Sequence, residues 1–221
     1  MSRLVLMPVL LLCSGCFLPS YKFAPGIPGS GKINTVSIPA QGFSRIHHAT
    51  VGSLTVTQGD EESVAITTDD NLQPYLEAVV EGDELIIRTI GEQNLQPTDG
   101  IKIASSVKQL TALKLSGVGG ITASGIDGPS LTVNSNGVGA LKLAGKVDQL
   151  SVTVDGVGSF DSTALDAKKA TVISSGVGAA KVKATESIEI KATGVGGVLY
   201  FGGPKEKKID ATGVGAVGAG D

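Results

Sequence analysis

Six carboxylates in the second half of the chain, Asp155, Asp161, Asp166, Glu186, Glu189 and Asp210, alternate with apolar neighbours and so face outward. Acids of this kind cleave glycosidic bonds when two of them flank the bond. Asp155 and Asp161 fall within one repeat and are the best-spaced pair. Ser175 and Ala180 take their places in the next repeat, and no Arg follows Arg88 to accompany them. A polysaccharide-acting enzyme, lyase or glycoside hydrolase, is the catalytic alternative on this ground alone. The only histidines, His47 and His48, are adjacent, so on a strand they point to opposite faces and make a poor metal site or triad. No Gly-Lys-Ser/Thr follows any glycine turn into a helix, which excludes a phosphate loop. Calcium-binding repeats need regular Asp inside the turns, and only Asp155 precedes one. The residues therefore point to no enzyme, no metal and no cofactor.

The leader carries the one modification signal. Arg3 precedes an apolar run over residues 4–12, too short for a membrane span, and Ser14, Gly15 and Cys16 follow. Residues 1–15 read as a signal peptide. The ending Leu-Leu-Cys-Ser-Gly-Cys resembles a bacterial lipobox, with Cys13 where Leu is commonest. That resemblance implies lipidation of Cys16, where each buried CH2 adds about 0.8 kcal/mol of anchoring. A plain secreted protein cut near the same point and an uncleaved anchor are the other readings. Phe17 rather than Asp after the cysteine resembles a lipoprotein sent to the outer membrane, facing periplasm or cell surface. Residues 16–33, rich in Pro and Gly, read as a lipid-anchored linker.

Formal net charge is -3 with no long basic run, so nucleic acid is excluded as a partner. Lysines cluster toward the C-terminus (Lys168, Lys169, Lys181, Lys183, Lys191, Lys205, Lys207, Lys208) against an acidic N-terminal half. This is either ordinary surface or a patch for acidic glycans or lipid headgroups. Both cysteines, Cys13 and Cys16, lie in the leader, so the body has no disulfide.

The elements that must carry these residues are set by a tripeptide. Gly-Val-Gly occurs at Gly117 to Gly119, Gly137 to Gly139, Gly156 to Gly158, Gly176 to Gly178, Gly194 to Gly196 and Gly213 to Gly215, at steps of 20, 19, 20, 18 and 19 residues. A fixed period marks one structural unit stacked on copies of itself. Four residues before the first glycine stand Leu113, Val133, Val152, Val172, Ile190 and Ile209. Four residues after it stand Ile121, Leu141, Phe160, Ala180, Val198 and Val217. Polar residues alternate between these positions. The expected fold is all-β: a single-stranded right-handed parallel β-helix with about 19–20 residues and three short strands per rung, its rungs about 4.8 Å apart. A β-sandwich is the alternative, though it lacks long-range identity of offsets. The glycines suit a sharp corner closed to a Cβ, and the invariant valine between them is expected to point into the core there. Residues 34–221 form the domain. Its first part, 34–103, has strands at irregular spacing, with Pro74 limiting residues 72–78 to one helical turn. It reads as a less regular start of the stack or a small cap; residues 104–221 carry the six repeats. Strand edges remain at the ends of the stack and invite a homo-oligomer.

Several segments occur together: Phe43-Ser44-Arg45-Ile46, Val56-Thr57-Gln58-Gly59-Asp60, the stretch 64–72 ending Thr-Asp-Asp-Asn-Leu, Glu81-Gly82-Asp83-Glu84-Leu85-Ile86-Ile87, the Ser-Gly-Val-Gly repeats and Tyr200-Phe201-Gly202-Gly203-Pro204. In combination they resemble a bacterial family, DUF2807, the "putative auto-transporter adhesin, head GIN domain". The resemblance covers residues 36–221. It implies a secreted or lipid-anchored β-helical domain and supplies no catalytic residues. The expectation for function is a non-catalytic cell-envelope module for adhesion, ligand binding or scaffolding. Its expected partners are the membrane through the lipid, and a glycan or an envelope protein.

Overall fold

The computed structural model describes residues 26–91 and 93–220. Cys16, the leader and the first part of the linker lie outside them. The described chain winds as a solenoid in which successive turns pair in parallel. Val118–Ser135, Val138–Val154, Val157–Ser174 and Val177–Ala192 are four such turns. Each is one nearly continuous strand rather than the three short strands expected. It breaks just before the triplet and is kinked by a register shift further on, as between Ala123 and Ile126. The pairing is parallel and residue for residue, which decides against a sandwich.

Stacking explains the apolar columns. Leu85, Ile46, Leu113, Val133, Val152, Val172 and Ile190 align rung over rung and are almost wholly buried. Ile103, Leu54, Ile121, Leu141, Phe160, Ala180 and Val198 form the facing column and are equally buried. Each such side chain contributes roughly 1.5–3 kcal/mol, but only when neighbours on both sides cover it.

The first part of the domain enters the same columns. Arg45–Ala49 and Ser53–Gln58 flank Thr50-Val51-Gly52, which stacks on the first Gly-Val-Gly triplet through a Val51–Val118 bridge. The chain then leaves the stack after Gln58 and returns at Leu110. Gln58 fastens the two ends of this excursion: its Oε1 accepts from Leu110 N and Asp127 N, and its Nε2 donates to Asp127 O. Within the excursion, Glu84–Thr89 and Lys102–Val107 lay a further parallel layer on the stack. Antiparallel strands Ile33–Ile38, Ser63–Asp69 and Leu76–Glu81 cap it. Among the described residues the one helical turn, Gln73–Tyr75, is 3-10 and contains Pro74, which was expected to limit residues 72–78 to a single turn.

The end of the supposed linker is part of the body. Ile27–Pro28 pairs in parallel with Leu95–Gln96. The buried Asp69 carboxylate accepts from Gly31 N at 2.7 Å, from Thr98 N at 2.8 Å and from Thr98 Oγ1 at 2.8 Å. These bonds to the charged form, Thr98 N foremost, hold the Asp69 pKa below the ordinary range.

At the triplet corner the glycines face the neighbouring rung. A Cβ on Gly139 would fall on the carbonyl oxygen of Gly119, and one on Gly137 on that of Gly117. Gly139 also has φ +154°, in the region open chiefly to glycine. The valine between them was expected inside and is not. Val51, Val118, Val138, Val157, Val177 and Val195 are 48–51% exposed and Val214 is 73% exposed. With the glycine positions turned toward the next rung, the valine is left on the outer side of the bend.

The two ends of the stack differ. Antiparallel strands cover the N-terminal end. At the other end Glu206–Ala211 pairs only with the preceding rung and is exposed throughout. There the column Leu131, Leu150, Ala170 and Ile188 continues into Lys207, whose Nζ lies 5.6 Å from the Tyr200 ring centroid. A charge in line with a core column discourages further strands from adding.

Candidate functional site

A groove runs along the solenoid axis. Two outward columns rise on either side of the backbone at Leu131, Leu150, Ala170, Ile188 and Lys207. One column is Ser130, Gln149, Lys169, Ser187 and Glu206; the other is Thr132, Ser151, Thr171, Glu189 and Lys208. The groove encloses about 540 Å³. Five rungs at strand spacing make it roughly 19 Å long. Alternation sends Leu131, Leu150, Ala170 and Ile188 inward and their neighbours out, so the groove's chemistry follows directly from the polar positions around the column.

Hydroxyl and amide groups dominate the first rungs, and charge enters toward the C-terminus. Lys208 Nζ contacts Glu189 Oε1 at 2.6 Å, and this carboxylate holds the lysine's pKa up. Lys169 has no ion-pair partner among the described residues.

A second groove, lined by Asp127, Lys146, Asp148, Asp166 and Lys168, carries ion pairs between successive rungs. Lys146 reaches Asp127 at 3.1 Å, Lys168 reaches Asp148 at 2.6 Å and Lys183 reaches Asp166 at 2.7 Å. The pKa of Lys168 is raised by its bond to Asp148. Of the eight lysines clustered toward the C-terminus, Lys168, Lys183 and Lys208 are paired in this way, whereas Lys169, Lys181, Lys191, Lys205 and Lys207 have no ion-pair partner among the described residues.

The carboxylates singled out in the sequence do not converge. Asp155 precedes the triplet corner and lines a shallow hollow with Arg45, Glu84, Lys114, Asn134 and Asn136. Its carboxylate takes a hydrogen bond from Ser175 Oγ one rung on. Asp161 follows the corner and binds Thr163 through Oγ1 at 2.7 Å and N at 3.0 Å. Those bonds lower its pKa. Neither residue borders the main groove. Arg45 and Glu84 reach the Asp155 hollow from the N-terminal part of the chain, a proximity concealed by the excursion between them. The carboxylates that do share the main groove are Glu189 and Glu206.

The histidines lie on opposite faces. His48 is fully buried and donates from Nε2 to Gly52 O at 2.9 Å, leaving Nδ1 without a partner among the described residues. Burial lowers its pKa against the raising effect of the Gly52 carbonyl. His47 Nε2 meets Ser116 Oγ at 2.7 Å, and its pKa is lowered by burial and then by Lys114. Among the described residues no three His, Cys, Asp or Glu side chains gather as a metal site.

The model of one family, "DUF2807: Putative auto-transporter adhesin, head GIN domain", matches residues 42–204. The chain belongs to the DUF2807 family. A solved structure of a putative adhesin from Bacteroides fragilis superposes on this DUF2807 domain with TM-score 0.75 at 25% identity, covering 88% of this chain and 100% of that one. A putative adhesin from Parabacteroides merdae reaches TM-score 0.49 at 20% identity over 90% of this chain and 100% of its own. A putative lipid binding protein from Parabacteroides distasonis reaches 0.48 at 23% identity over 89% and 100%. No curated protein matches the chain. The DUF2807 family and the Bacteroides fragilis structure are both described as putative adhesins, which suggests a cell-envelope or surface role. Among the described residues no helix is long and apolar enough to cross a membrane.

Proposed function

We propose that this DUF2807 domain is a non-catalytic envelope module that binds an extended, polar repeating chain, a glycan, along the main groove. One observation carries the reading. Ser130, Thr132, Gln149, Ser151, Thr171 and Ser187 present hydroxyl and amide groups in two columns at constant rung spacing. A polymer whose own groups recur at intervals meets the same donors and acceptors at each step. Short side chains on strands lose little freedom on binding, which favours weak contacts summed over length. Lipid attached at Cys16 would present the groove from the outer membrane, toward periplasm or surface.

The paired variant Ser151→Val/Thr171→Val keeps strand propensity and removes two adjacent hydroxyls. Calorimetric titration with neutral and acidic envelope polysaccharides should give saturable binding to the parent, weakened at least 10-fold in the variant. Equal binding by both proteins, or none by the parent, refutes the reading. For the anchor, mass spectrometry of the mature protein should find acyl chains on Cys16; an unmodified cysteine or a different new N-terminus refutes it.

The enzyme alternative rests on Glu189 and Glu206. Their α-carbons lie on adjacent rungs about 8 Å apart by strand geometry, so both carboxyl groups face the same groove. Glu189 is engaged by Lys208, and its side chain is 50% exposed. A general acid needs an apolar wall to hold its proton near neutral pH, and this groove offers polar columns instead. Polysaccharide cleavage by the parent that is lost in Glu206→Gln would establish the enzyme.

A further inference from the structure

The exposed valines form a single straight ridge. The six triplet valines and Val51 stack at every rung through parallel bridges and paired positions. Seven rungs span roughly 29 Å. The six triplet valines are flanked on both sides by glycine, and beyond the second glycine by Gly120, Ala140, Ser159, Ala179, Gly197 and Ala216; Val51 lies between Thr50 and Gly52. These shoulders form a smooth trough beside the ridge. Asp155 is the one ionisable residue directly preceding a triplet, and it is already bonded to Ser175.

We propose that this ridge is a homodimer interface, in which a second copy of the chain lays its valines antiparallel into the glycine–alanine trough of the first. Two observations select a second copy. Side chains repeating at strand spacing over seven rungs need a partner of the same pitch, and this chain supplies one. The area also fits. Half-exposed valines offer about 400 Å² per copy, and the shoulders raise this to about 600 Å². The total of roughly 1,200 Å² for two copies stands at the lower edge of specific interfaces. A two-fold axis across the ridge makes the contact self-complementary and closed, so association stops at two. The contrast with the stack end is direct: Lys207 guards the end, whereas nothing charged rises from the ridge.

Sedimentation velocity on the mature chain, from about 5 to 500 μM, tests the assignment. The expected result is a reversible monomer–dimer equilibrium with a micromolar Kd. Val157→Lys/Val177→Lys should weaken it at least 10-fold by placing like charges across the axis, and the near-isosteric Val157→Thr/Val177→Thr should weaken it less. Unchanged circular dichroism and Tm keep loss of fold from mimicking loss of contact. Ile209→Lys, at the stack end, should leave the equilibrium unaltered. A monomer throughout, or a dimer indifferent to the ridge and broken by Ile209→Lys, overturns the proposal.

Discussion

Replacing Gly139 with Ala perturbs the corner where rung stacking and backbone conformation meet. The new Cβ would overlap the carbonyl oxygen of Gly119, which belongs to the rung beneath and cannot swing aside as a side-chain tip can. The φ of +154° adds its own strain. Backbone forced into a glycine-only region costs about 1–3 kcal/mol, and overpacking a rigid contact costs about 1–3 kcal/mol more. The expected loss is therefore about 2–6 kcal/mol. In a domain of this size that lowers Tm by roughly 4–24 °C, at about 2–4 °C per kcal/mol. Gly128→Ala is the control. Its Cβ meets open space, and Gly128 is absent from the positive-φ glycines. Removing glycine freedom there should leave stability unchanged or raise it by up to about 1 kcal/mol. Urea unfolding followed by circular dichroism measures both variants. Equal stability of Gly139→Ala and Gly128→Ala would refute the steric account of the triplets.

Two further outcomes follow from the buried ionisable groups. His48 has a folded pKa below 6.5, so the unfolded chain binds the extra proton first as pH falls. Stability should be full above about pH 7 and decline once pH passes below 6.5, until the folded pKa is reached. His48→Leu, whose column neighbours are Ile87 and Leu115, should flatten most of that decline in urea titrations at pH 7.5 and 5; an unchanged slope would contradict it. Asp69 has linkage of the same sign at lower pH: its folded pKa is lowered, so its contribution is present above the ordinary carboxylate range and lost as pH falls through the folded value. Asp69→Asn should loosen Gly31 from the body and speed tryptic cleavage after the exposed Lys32 at neutral pH. Equal cleavage rates would show that the carboxylate does not fasten this segment.

The buried columns were legible because a fixed offset from each triplet maps onto a fixed place in every rung. Val133, Val152 and Val172 needed no structure to be placed together. The direction of the triplet valines was not legible. Period-two alternation holds along a strand but is reset at a corner, and the glycines that make the corner hide which way the chain turns. Thr50-Val51-Gly52 escaped notice for a different reason: the excursion from Gln58 to Leu110 separates it from its stacking partner, although its Val-Gly was a visible trace of the motif. The main groove could not be read either. Its columns mix Ser, Thr, Gln, Lys and Glu, so residue type carries no repeat. Asp155 and Asp161 looked like a pair because both fall within one repeat, but the corner lies between.

The most direct measurement of the functional account is amide chemical-shift mapping of the labelled domain as an oligosaccharide from the bound polysaccharide is added. The account expects shifts confined to the rungs at 130–132, 149–151, 169–171, 187–189 and 206–208, in a line along the axis. Shifts centred on the valine ridge, on the Asp155 hollow, or absent altogether would contradict it.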